Sequence, residues 1–134
     1  MIVIFNTTKY VWLIIVLIGL LLACNAKDNI PPRVIATNPQ NGAQDVDPSL
    51  KEISVTFSEP MMDKSWSWCY EIEEKFPQMT GEPKYIENNT RNLLPVKLES
   101  NKEYVIWINT EKFNNFKDEA GNTTEPYRFT FRTK

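Results

Sequence analysis

The stretch Ile53-Ser54-Val55-Thr56-Phe57-Ser58 alternates apolar and hydroxyl side chains without a break. A period of two places Ile53, Val55 and Phe57 on one face and the hydroxyls on the other, as a half-buried β-strand requires. The same alternation returns in Tyr104, Ile106 and Ile108. It appears again in Tyr127, Phe129 and Phe131, set against Arg128, Thr130 and Arg132. Three β-type stretches of this strength, with no long segment of helical period, point to an all-β chain.

Turn-forming pairs punctuate the runs: Asn38-Pro39, Asn41-Gly42, Asp47-Pro48, Glu59-Pro60, Thr80-Gly81 and Gly121-Asn122. One helical turn is expected around Met61 to Ser65. Many short strands between frequent turns predict a sandwich of two antiparallel sheets, each burying its apolar face against the other. No internal repeat and no second domain are legible.

Pro32-Arg-Val-Ile-Ala-Thr-Asn-Pro39, Asn41-Gly42 and Ile53-Ser-Val-Thr-Phe-Ser-Glu-Pro-Met61 come in order. Leu98…Tyr104, Phe116-Lys-Asp-Glu-Ala-Gly-Asn122 and Phe129-Thr-Phe-Arg-Thr133 follow. Together they resemble the bacterial Ig-like domain first described in S-layer proteins, over Pro32 to Thr133. The resemblance implies an Ig-like or fibronectin-III-like antiparallel β-sandwich. It also implies a spacer, adhesion or accessory role. The chain departs from the family in the middle, where Trp66-Ser-Trp-Cys-Tyr70 and Phe76-Pro77 replace a plain strand. Leu98, six residues before Tyr104, resembles the tyrosine corner of Ig-like sandwiches, in which the Tyr hydroxyl closes the turn between sheets.

Residues 11–24, Val-Trp-Leu-Ile-Ile-Val-Leu-Ile-Gly-Leu-Leu-Leu-Ala-Cys, are apolar behind a lone Lys9. Val11 to Leu22 has the length of a signal-peptide core and falls short of the ~20 residues that span a bilayer. Leu21-Leu22-Ala23-Cys24 resembles the lipobox of bacterial lipoproteins, which implies cleavage before Cys24 and acylation of that residue. An uncleaved membrane anchor is the alternative. The expected organisation is a signal peptide at 1–23, lipidated Cys24 and a tether through 32, and an Ig-like domain at 33–134. Asn25, rather than Asp, after Cys24 resembles Gram-negative lipoproteins of the outer membrane.

The chain holds 15 Lys+Arg against 17 Asp+Glu, a net charge of −2, and no basic run. That balance offers nothing to the phosphate backbone of nucleic acid. Membrane association is therefore expected through the N-terminal lipid alone. There is no histidine, so a Ser-His-Asp or Cys-His site cannot be assembled. With Cys24 acylated, Cys69 is the only other cysteine and no internal disulfide forms.

Trp66, Trp68 and Tyr70 share one face of a strand, suiting either a platform for sugar rings or core filling; core filling is the expectation. If Tyr104, Ile106 and Ile108 point inward, Trp107 points outward, and Arg128 and Arg132 of the last strand lie on the same face. That trio is the expected contact surface for a protein or glycan, against a Trp merely covered by Arg stems. Asp118 and Asn122 are a weak calcium candidate, with a plain turn as the simpler expectation. Glu71, Glu73, Glu74, Glu82 and Glu87 suggest paired carboxylates, yet a solvated acidic edge explains them more simply.

The expected function is that of a cell-envelope lipoprotein whose Ig-like domain binds, assists or spaces, without catalysis or cofactor. A carbohydrate-binding module using surface aromatics is the alternative, and a small envelope hydrolase the second.

Overall fold

A computed structural model describes residues 26–134; the stretch expected to be a signal peptide and the expected acylation site Cys24 lie outside the described residues. The strands are β1 (Val34–Asn38), β2 (Ala43–Val46), β3 (Glu52–Phe57), β4 (Trp68–Cys69), β5 (Gln78–Met79), β6 (Lys84–Ile86), β7 (Arg91–Lys97), β8 (Glu103–Ile108) and β9 (Tyr127–Thr133). One sheet runs β1-β3-β7-β5, with β6 also on β7; the other runs β2-β9-β8-β4. The three alternating stretches read from the sequence are β3, β8 and β9.

Their inward residues meet in one core. Ile53, Val55, Phe57, Tyr104, Ile106, Ile108, Phe129 and Phe131 are all buried. Phe57 packs tilted against Phe116 with ring centroids 5.1 Å apart, and Tyr104 stacks on Phe131 at 5.1 Å. The outer hydroxyl of Ser54 is buried too, and it accepts from Arg91 Nε at 3.1 Å. The fold is the expected all-β sandwich, with one departure from antiparallel pairing. β2 runs parallel to β9. The chain leaves the first sheet after β1, turns through Pro39–Gly42, and continues alongside the last strand of the other.

The tyrosine corner is present. The Glu99 backbone N–H donates to the Tyr104 hydroxyl at 2.8 Å, closing the passage from β7 to β8, that is, from one sheet to the other. The helical turn expected near Met61 is instead an isolated bridge from Met61 to Asp118 followed by a turn at Asp63–Lys64. A short 3-10 turn sits at Glu73–Lys75. Among the described residues no helix is long and apolar enough to cross a membrane.

The start of the domain also differs from the expected boundary. Pro32 is buried, and Asn122 Nδ2 donates to the Asp28 carbonyl at 3.2 Å. The stretch from Asp28 to Pro32, expected as tether, is thus held against the sandwich.

Candidate functional site

The stretch from Trp66 to Pro83, which contains Trp66-Ser-Trp-Cys-Tyr70 and Phe76-Pro77, shapes the open side of the sandwich. There the edge strand β4 of one sheet faces the split edge β5 and β6 of the other. Trp68 pairs with Ile108, which points into the core, so the Trp68 ring turns inward as well. It meets Phe116 edge-on at 5.7 Å, and its indole N–H crosses to Asn92 Oδ1 on β7 at 2.8 Å. Trp66 packs against Tyr85 at 6.3 Å, and the Tyr85 hydroxyl donates to the Ser65 carbonyl at 2.7 Å. Burial pushes the Tyr85 phenol well above its ordinary range. Core filling therefore describes Trp68 and Trp66, both half-buried against the core. Tyr70 does not follow: it is 56% exposed.

Between these edges lies a groove of about 740 Å³ lined by Trp66, Trp68, Tyr70, Met79, Pro83 and Phe113, among others. Phe113 comes from the loop after β8, which Asn109 organises. Asn109 is fully buried, with φ +62°; its amide donates to the carbonyls of Phe116 and Thr124 at 2.9 Å each. Its oxygen accepts from the Phe116 N–H at 2.9 Å. Ser67 Oγ then accepts from both the backbone and side-chain nitrogens of Asn115 at 3.0 Å, tying the loop to β4. A second groove of about 520 Å³ shares Trp68, Tyr70 and Met79 with the first and continues past Glu73, Glu74, Glu99 and Lys102.

Trp107 lies on the outer face of its sheet, half-buried, opposite Arg128 on β9 and Cys69 on β4. Its indole N–H donates to Glu71 at 3.4 Å. The 3-10 turn packs on this face of β8, with Lys75 bonded to Glu103 at 2.8 Å. Val105, outward by alternation, is buried. Arg132 stands opposite Glu103, four residues along β9 from Arg128, and bonds to Asn101 at 2.8 Å. The structure thus puts Arg128 directly beside Trp107, with Arg132 farther along the same outer face, opposite Glu103. Cys69 is buried with a free thiol, and that burial raises its pKa.

Asp118 is buried and both its carboxylate oxygens accept from Asn122, from the backbone N–H and from the side-chain amide, each at 2.8 Å. This is the turn clamp into the last strand. The carboxylates of Asp28, Glu59 and Asp118 come within 4.8 Å of one another, close enough to share a hard cation. Desolvation, then the charges of Asp28 and Asp118, raises the Glu59 pKa. The other acidic cluster is dispersed: Glu71 binds Trp107, whereas Glu87 pairs with Arg91 at 3.3 Å on the opposite sheet.

Sequence reading missed Phe113, Met79, Asn92 and Asn109. Only Asn109, a polar residue ending an apolar strand, carried a local signal.

The family model of the bacterial Ig-like domain matches residues 28–133. Among solved structures the chain is similar to a crystal structure of the S-layer protein rSbsC, at 18% identity and a TM-score of 0.49. The alignment covers 78% of this chain and 14% of that one. It is also similar to a structure of domains 1–6 of surface layer protein SbsC, at 18% identity and a TM-score of 0.45. That alignment covers 79% of this chain and 14% of the other. This chain therefore spans about one seventh of the length of these S-layer chains. No curated protein matches it.

Proposed function

This chain belongs to the bacterial Ig-like domain family, and from that premise we propose that it is a cell-envelope lipoprotein with a non-catalytic binding, accessory or spacer role. The observation that carries the reading is the conjunction of one family domain over residues 28–133 with the lipobox-like Leu21-Leu22-Ala23-Cys24 before it. Acylation at Cys24 confines a small rigid sandwich close to a membrane, where its effective concentration toward an envelope partner is high. The segment docked from Asp28 onward leaves few residues between the lipid and the fold, so the domain stands near the bilayer with little reach. Asn25 after Cys24 favours the outer membrane where the cell has one.

The absence of histidine supports a non-catalytic role, and so does the dispersal of Glu71 and Glu87 onto opposite sheets.

Metabolic labelling with a clickable palmitate analogue tests the anchor. Wild-type chain takes up the label and a Cys24→Ser chain does not. Equal labelling of both overturns lipidation at Cys24, and unlabelled wild type overturns the lipoprotein reading.

A further inference from the structure

We propose that the groove between β4 and the β5–β6 edge is a binding cleft for a non-acidic glycan chain. This deepens the reading of the chain as a non-catalytic binding module and rests on it.

The lining has the chemistry a sugar requires. Pyranose rings present apolar C–H faces rimmed by hydroxyls, so a recognising surface needs aromatic faces with hydrogen-bonding groups between them. Trp66, Tyr70 and Phe113 supply the aromatic surface, with Tyr70 and Phe113 more than half exposed. Elsewhere, the polar tips of Trp68, Trp107, Tyr85, Tyr104 and Tyr127 are engaged inside the protein. The Trp66 indole N–H and the Tyr70 hydroxyl have no such partner among the described residues and remain available to a ligand. The floor is rigid, because Trp68 is pinned to Asn92 and the Phe113 loop to Ser67. A preformed surface of this kind loses little entropy on binding.

Charge selects among polymers. The wider part of the groove carries one charged residue, Lys112, whose ammonium sits over the Phe113 ring at 5.3 Å. The continuation carries Glu73, Glu74 and Glu99 against Lys102 alone. A polyanion threading the whole groove meets a net negative wall, whereas a neutral or amino-sugar chain does not. A strand-forming peptide is disfavoured, since β4 is two residues long and offers too short an edge for a ladder. Two open grooves that share Trp68, Tyr70 and Met79 along one side of the sandwich suit a chain better than an isolated small molecule.

The test uses the full chain in a zwitterionic, sugar-free detergent, with tryptophan fluorescence titrated against cellohexaose, chitohexaose, mannan and polygalacturonate. At least one of the first three is expected to bind and polygalacturonate is not. Tyr70→Ala and Phe113→Ala, both at exposed positions, should each weaken that binding roughly tenfold, equivalent to about 1.4 kcal/mol. Ile35→Ala, on the exposed face of β1, should leave it unchanged. Binding to none of the four probes, binding only to polygalacturonate, or affinity indifferent to Tyr70 and Phe113 overturns the proposal. Self-association that Tyr70→Ala abolishes also overturns it, by making a second copy the occupant. The anchor is judged separately: a Cys24→Ser chain that loses the palmitate label should keep its glycan affinity. Labelling without glycan binding sinks the cleft alone, and glycan binding without labelling sinks the anchor alone.

Discussion

The Trp68 indole N–H donates to Asn92 Oδ1 across 2.8 Å, from the edge strand of one sheet to an interior strand of the other. Asn92 is fully buried and its Nδ2 has no partner among the described residues. This single bond therefore supports both the Asn92 amide and the position of β4, which pairs with β8 through only two residues. Replacing Trp68 by Phe keeps most of the apolar bulk and removes the donor. We expect a loss of about 1–3 kcal/mol in a urea melt, the cost of leaving a buried polar group unsatisfied. Unchanged stability would mean that water replaces the indole.

The corner at Tyr104 makes a cleaner case, because the substitution deletes one oxygen from a ring that stays packed on Phe131. Tyr104→Phe should cost about 1–2 kcal/mol by the same melt, with the Glu99 N–H left without its acceptor. No loss would show that the corner closes without the hydroxyl.

Asn109 should be the most sensitive polar position. Its side chain makes three bonds inside the core, and its backbone occupies the left-handed region that Asn tolerates better than most residues. Asn109→Ala is expected to cost at least about 3 kcal/mol, roughly one for each bond. Asn109→Gly relieves the backbone and not the bonds, so it should recover only a minor part. Full recovery in the Gly variant would assign the effect to φ rather than to the network.

Glu59 gives a pH dependence of definite sign. Its pKa is raised in the folded state by desolvation and by Asp28 and Asp118. The folded form then binds protons more readily than the unfolded one, so stability falls as pH rises through the interval just above the ordinary glutamate value. Glu59→Gln should raise the melting temperature at pH 7 and lose that advantage as pH drops below the glutamate range. A constant difference across pH would exclude ionisation as the cause.

The sandwich was legible because its signal is local. Whether Ile53, Val55 and Phe57 share a face depends only on the backbone between them, and the same holds for β8 and β9. The outward reading of Trp107 was correct as register, yet it did not reveal the cover. The turn at Glu73–Lys75 folds back over β8, and Glu71 takes the indole N–H. Likewise, Asp118 and Asn122 were legible as a turn. That Asp28 and Glu59 join Asp118 was not, since these residues lie in separate segments brought to one end of the sandwich by β1, β3 and the loop before β9.

The sequence by itself determined the strand alternation, the turns between strands, the tyrosine corner and the lack of any histidine-based site. These depend on residue identity and on spacings of a few residues. Tertiary structure alone decided that Trp66 and Trp68 settle half-buried while Tyr70 stays open, and that Phe113 and Met79 complete a groove with them. It alone decided that β2 runs parallel to β9. Those outcomes are set by which strands become neighbours across two sheets, and a period of two specifies a face without specifying what lies opposite it.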